Sequence, residues 1–293
     1  MGLVPDLHHY KGSFGGRVFP LWSDAAAKTP NVRPALTAFL ANKFAIAVTP
    51  EELVAYIAAV AANPAYTAKF QDDLSTPGLR IPITADAEMF TEAVELGRTI
   101  VWLHTFGERM ADAAHPEKNR PASPPRLPSE RRPRVPQGGE ISQDPALMPD
   151  AMSYESAQQR LNIGSGYIEH VTPEMWQYEV SGKQVLTQWF SYRKKNRDRP
   201  IIGDRRPPSP LSNIQPDFWL AEYTTELLNV LNVLGLLVES EPAQAALLEH
   251  ICTTPCLSVD ELRIAGVFDE TQTAKTPKSS KSKPVDHPDL FAE

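Results

Sequence analysis

Cysteine is nearly missing: the 293 residues hold two, Cys252 and Cys256. Two cysteines build no disulfide framework, and their scarcity fits a reducing compartment, which predicts a cytoplasmic protein. Long apolar runs are missing too. The longest, Leu227 to Val238, has twelve residues, two of them asparagine, whereas a membrane span needs about 20. That run predicts a buried core helix and no membrane partner. The opening MGLVPDLHHYKG lacks a basic start followed by an apolar core, so no signal peptide is expected. Asp6 stands where a myristoylation motif has Ser or Thr.

Signatures of catalysis are equally scarce. There is no P-loop, no Gly-x-Ser-x-Gly, no paired-carboxylate signature and no glycine motif following a strand. His250, Cys252 and Cys256 are three metal-ligand types with no convincing fourth, so no metal is expected. His8 and His9 read as an exposed pair, and His104, on an apolar helix, as a core histidine. Asn63-Pro64-Ala65-Tyr66 resembles the Asn-Pro-Pro-Tyr loop with which amino-methyltransferases hold a target amine and stack a flipped base. Its second proline is absent, however, and it falls between two helical segments. It reads as a helix-break turn.

What is present is an ordinary globular composition, 42% hydrophobic and 22% charged. The length allows one large domain or two modest ones. The 28 prolines are roughly twice the average share, and they cluster, which marks linkers.

Residues 13–22 suggest a glycine turn and a short strand, and Pro30 to Phe44 a helix. Thr49-Pro50-Glu51-Glu52 is a helix start, with a capping Thr, a Pro at the first position and acids in the first turn. Leu79 to Ile83 alternates like an edge strand, and Thr84 or Asp86 caps a long helix bearing Phe90, Val94 and Ile100. These elements form an expected helical lobe over residues 1–112. Residues 113–150 are rich in proline and charge. Between Lys118 and Arg134 stand six basic residues and one acid, which predicts a linker or mobile loop. A second lobe is expected over 151–270. It holds a β-hairpin (Arg160–Ile163, a Gly-Ser-Gly turn, Tyr167–Val171), a helix over 217–238 and another over Ala243 to Ile251. Residues 271–293 are low in complexity and expected to be disordered.

The second lobe is organised around Thr172 to Arg206. Thr172 and Pro173 cap and start a helix, Ser181-Gly182 breaks it, and KQVLTQWFSYRKK resumes a helical pattern. From Lys183 to Arg206 eight basic side chains stand against Asp198 and Asp204, a local excess of six positive charges on a chain of net charge −7. Such a reversal fits a polyanionic partner, whose phosphates relieve the repulsion. It also fits a solvated helix end, where Lys and Arg suit the dipole.

Two blocks together carry a family resemblance. LVAYIAAVAANPAYTAKFQDDLSTPGLRIPITADAEMFTEAVELGRTIVWLHTFGE is similar to the block that follows the catalytic domain of large adenine-specific DNA methyltransferases. The match runs through Tyr56, Ile57, Tyr66, Phe70, Arg80-Ile81-Pro82, Phe90, Leu96-Gly97 and Leu103-His104. TPEMWQYEVSGKQVLTQWFSYRKKNRDRP resembles the helix and basic tail of the same C-terminal lobe. The likeness is closest to the C-terminal specificity domain of type ISP restriction–modification enzymes and spans about residues 10 to 252.

That resemblance implies a module that reads an asymmetric site on double-stranded DNA for phage defence. In the family it works beside a nuclease, a helicase-like translocase and an N6-adenine methyltransferase that uses S-adenosylmethionine. Those parts have no counterpart in this sequence, so the chain itself is expected to bind no cofactor and to catalyse nothing. The expected fold is mixed, helix-rich α+β, in two lobes joined by a proline-rich linker. Expected DNA contacts are Lys183, Arg193, Lys194, Lys195, Arg197, Arg205 and Arg206 on phosphates, with Gln184, Gln188, Asn196 and Asn213 on base edges. Trp176 and Trp189 are expected in the core. Two rivals remain: a scaffold that docks on a separately encoded methyltransferase without reading DNA, and a stand-alone methyltransferase, which the missing cofactor motif disfavours.

Overall fold

Three threonine or asparagine caps followed by proline set the helical framework. The computed structural model describes residues 20–24, 26–76, 79–105, 126–180, 182–195 and 216–269. Helix α1 spans Pro34–Phe44, and α2 (Pro50–Ala61) starts at a complete capping box: Thr49 Oγ1 accepts from the Glu52 N–H while Glu52 accepts from the Thr49 N–H. Asn63 ends that helix and begins the next. Its Oδ1 accepts from Tyr66 N at 3.1 Å and its Nδ2 donates to Val60 O at 2.9 Å, which places α3 at Pro64–Lys69. The Asn-Pro-Ala-Tyr stretch is therefore a helix-break turn. Asp86 caps α4 (Ala87–His104) through Met89 N.

Helices α2 and α4 pack so closely that a Cβ on Gly97 would lie 1.8 Å from the Ala55 carbonyl oxygen. Leu40, Tyr56, Val60, Phe90 and Val94 fill the core between α1, α2 and α4. Tyr56 stacks on Phe90 at 4.9 Å, donates to Pro82 O at 2.8 Å and accepts from Thr84 N at 3.0 Å. The extended residues 79–83 are held by such side-chain bonds. The edge strand expected there does not form: among the described residues only an isolated bridge, Thr84 with Cys256, offers a backbone partner.

The second core is built on an antiparallel sheet ordered β1-β2-β3: Met152–Glu155, Arg160–Ile163 and Gly166–Ile168. The hairpin expected from the glycine turn is β2-β3, with Asn162 opposite Tyr167. Leu161, Ile163 and Ile168 point into the core. Helix α5 (Pro173–Gln177), capped by Thr172, leads through a short hairpin, β4 (Glu179–Val180) and β5 (Lys183–Gln184), into α6 (Val185–Ser191).

Two further expectations are corrected. Residues 126–150, assigned to a linker, are packed: Leu127 is 1% exposed, Met148 5% and Ile141 8%. Their backbone runs beside β3, where Arg134 and Glu169 exchange two hydrogen bonds and Tyr167 N donates to Gly139 O at 2.9 Å. A few well-spaced apolar anchors and a free strand edge order a segment whose average composition is polar. The rest of that expected linker, 113–125, lies outside the described residues, as do 13–19 and the tail from 270.

The second correction concerns the two expected C-terminal helices, which are one. Helix α7 runs 33 residues, Ala221–Thr253, with Pro242 inside it. At about 1.5 Å per residue it extends roughly 50 Å. An internal proline costs about 3 kcal/mol, and packing on both sides offsets this. Leu227, Leu231 and Leu237 lie in the second core, while Leu247, Leu248 and Ile251 lie in the first. Gln244, 1% exposed, donates to Ala59 O at 3.0 Å and ties the helix to the end of α2. A short α8 (Val259–Ile264) follows, started by a capping box between Ser258 and Glu261.

His104, near the end of α4, is largely buried, and burial lowers its pKa to about 4. The unfolded chain takes up that proton near 6.5. Because the folded value is the lower one, this stability is present above about pH 6.5 and is lost as pH falls toward 4. Denaturant titrations at pH 7 and pH 5 should differ by about 2 kcal/mol from this group. His104→Gln should remove that share, and identical pH slopes in both chains would refute the assignment.

Candidate nucleic-acid interface

The basic stretch begins on a rigid base. Trp219, fully buried, meets Trp189 edge-on at 6.2 Å and Tyr223 at 5.4 Å, and donates through Nε1 to Thr224 Oγ1 at 2.8 Å. This aromatic cluster fixes α6 against α7. Lys195 N then donates to Pro149 O at 2.6 Å, so the stretch leaves the body beside the corrected 126–150 segment.

The described members of the expected site fall into two groups. Arg193 is turned inward. Its guanidinium lies 4.2 Å from the Trp189 ring centroid, Nη1 donates to Trp189 O at 2.9 Å, and Nη2 pairs with Glu226 at 2.8 Å. Gln184 is also turned inward, with Nε2 donating to Trp176 O. Gln188 Nε2 donates to Tyr192 Oη at 3.1 Å on the surface. Lys183 and Lys195 are exposed, while Lys194 is half-buried. Trp176 and Trp189, expected in the core, are half-buried and pack against it. Asn196, Arg197, Arg205, Arg206 and Asn213 lie outside the described residues.

A second set of cations comes from the basic run that the sequence reading counted between Lys118 and Arg134 and assigned to a solvated linker in preference to a phosphate contact. Arg131, Arg132 and Arg134 project from the segment read as a linker, and Arg160 from β2. Arg131 pairs with Glu239, Arg132 forks onto Leu127 O, and Arg160 pairs with Glu169 at 3.0 Å while lying 4.4 Å over Tyr167. The Arg134 guanidinium, its side chain 61% exposed, lies 3.9 Å from the Glu169 carboxylate. Their clustering depends on the pairing of 134–139 with β3, which composition does not reveal.

Nothing among the described residues assembles a metal or catalytic centre. No three His, Cys, Asp or Glu side chains converge there. A cavity of about 280 Å³, lined by Tyr66, Phe70, Leu74, Arg80, Ile81 and Pro82, belongs to the first core. Among the described residues no helix is long and apolar enough to cross a membrane.

A family model described as the type ISP C-terminal specificity domain matches residues 1–229. The chain belongs to that family. The matched span of this specificity domain contains both sequence blocks that carried the resemblance and the whole of Lys183 to Arg206. It makes the chain a target-recognition module of type ISP restriction–modification systems, a role that fits a chain without catalysis. The specificity domain has the mixed α+β fold expected of it. No curated protein matches the chain, and no solved structure does.

Proposed function

We propose that this specificity domain binds double-stranded DNA and positions an N6-adenine methyltransferase, a helicase-like translocase and a nuclease on their site, with no catalytic centre of its own. The observation that carries the reading is the charge reversal inside the matched span, six excess positive charges on a chain of −7. Lys183, Lys194, Lys195, Arg197, Arg205 and Arg206 hold phosphates. Gln188, Asn196 and Asn213 lie close enough in sequence to meet base edges. Arg193 and Gln184 serve differently: their inward bonds hold the root of the stretch in place. S-adenosylmethionine belongs to the methyltransferase part, as the family resemblance implies.

The test is fluorescence anisotropy with random duplex DNA across a salt series. Affinity should fall log-linearly with salt, because bound phosphates release counterions. Replacing Lys194 and Lys195 with Ala should make the slope shallower by roughly 0.9 for each phosphate no longer neutralised. No binding at low salt, or an unchanged slope, would count against the placement. A chain that ignores DNA yet co-purifies with a methyltransferase polypeptide would be a docking scaffold instead.

A further inference from the structure

The outer face of the three-stranded sheet has a composition that the core does not explain. Strand β2 alternates so that Leu161 and Ile163 point inward and Arg160 and Asn162 outward; in β1 and β3, Ser153, Glu155 and Tyr167 share that outer face. Register turns these positions into rows. Ser153 stands opposite Asn162, and Asn162 opposite Tyr167, so three polar side chains lie in one line across the sheet. A second row follows, with Glu155 opposite Arg160 and Arg160 paired to Glu169 at 3.0 Å.

The rows differ in how far they are committed. Glu155 accepts from Gln158 at 2.8 Å and Glu169 is held by Arg160, so the second row is fixed by its own pairs. Ser153 and Asn162 make no side-chain hydrogen bond among the described residues, and the Tyr167 hydroxyl makes none either. Tyr167 itself is kept in place by the Arg160 guanidinium over its ring. An oriented, solvent-accessible row of hydroxyl, amide and phenol without hydrogen-bond partners among the described residues is what base-edge reading requires, whereas phosphate holding requires net charge.

Size and position agree. The β2-β3 pair, which carries Asn162 and Tyr167, is a two-stranded ribbon of the kind that a major groove about 12 Å wide admits, with Ser153 on the strand beside it. The face is continuous with the proposed phosphate contacts. Pro149, which accepts from Lys195 N, also lies where a Cβ on Gly164 in the hairpin turn would meet its ring at 3.0 Å. The basic stretch thus leaves the body at the turn end of this hairpin, while Arg134 stands at the other end of β3. By contrast, Gln184 at the start of α6 has its amide engaged internally.

Resting on the DNA reading above, we infer that the specificity domain reads its target sequence with the sheet face, through Ser153, Asn162 and Tyr167, laid in the major groove of duplex DNA. Asn162, at the centre of the row, is suited to adenine, whose N6–H donor and N7 acceptor match the two ends of an amide.

The experiment is selection of preferred duplexes from a random pool with the full chain, repeated for Asn162→Ala and Tyr167→Phe, with anisotropy on the selected and scrambled duplexes. The affinity ratio of selected over scrambled duplex should fall about tenfold or more for Asn162→Ala. Asn162→Asp, which replaces a donor by an acceptor, should select a different base at the affected position. Circular dichroism and melting temperature should match the native chain, because these side chains are outside the core. Variants that select the native site with the native ratio overturn the sheet assignment while leaving DNA binding intact. A native chain that binds duplexes without preference overturns it as well. A native chain that binds no duplex at any salt removes the DNA reading itself, and the sheet assignment with it.

Discussion

A Gly97→Ala chain should melt roughly 5 °C below the native one, although the substitution favours helix formation in isolation by up to about 1 kcal/mol. The reason is the crossing of α2 and α4. The new methyl carbon would sit 1.8 Å from Ala55 O and 2.4 Å from its carbonyl carbon, both backbone atoms with no rotamer to change. Relief demands that the helices move apart, and the packing of Tyr56, Phe90 and Val94 loosens with them. Overpacking of this kind costs about 3 kcal/mol, which at this chain length is near the stated shift. Calorimetry on both chains checks it. A native-like melting temperature would mean the two helices are not in van der Waals contact at that point.

Trp219→Ala should cost about 4 kcal/mol, the usual range for deleting a large buried aromatic. Trp219 is 0% exposed and is the common neighbour of Trp189, Phe190 and Tyr223. Its loss empties the space between α6 and α7, so the effect extends to the base from which the basic stretch departs. Urea titration should show a much lower midpoint, and DNA affinity per folded molecule should fall as well. Trp219→Phe keeps most of the volume and loses only the bond to Thr224 Oγ1; it should recover over half the stability. Equal behaviour of the two variants would show that the cluster tolerates collapse.

Local chemistry made much of this fold legible. Thr49, Asn63 and Thr172 each accept from a backbone N–H three residues on, and each is followed by proline, so helix starts were readable from four-residue windows. The β2-β3 hairpin was readable because alternation and a glycine turn are both short-range. The capping box at Ser258 and Glu261 was equally local, and no helix was assigned there. Other features depend on distant partners. Pro242 signals a helix end, yet Leu237 and Leu247 are buried in different cores on either side of it and keep α7 continuous. Leu127, Ile141 and Met148 are too sparse to raise the average of a polar segment, but each fills a buried position. At the candidate interface the charge reversal was visible in the sequence. The fate of Arg193 was not, because Glu226 stands 33 residues away.

Helix α7 also separates two kinds of boundary. The family match stops at residue 229, eight residues past Ala221, with most of that helix still to come. The unmatched remainder supplies Leu247, Leu248 and Ile251 to the core that α1, α2 and α4 begin, and Gln244 to the end of α2. What is recognisable by descent and what can stand alone as a folded body are therefore different lengths of chain. A chain cut at residue 229 would leave the N-terminal core without Leu247, Leu248 and Ile251 and the end of α2 without Gln244, so the boundary of the match is a poor place to divide the folded body.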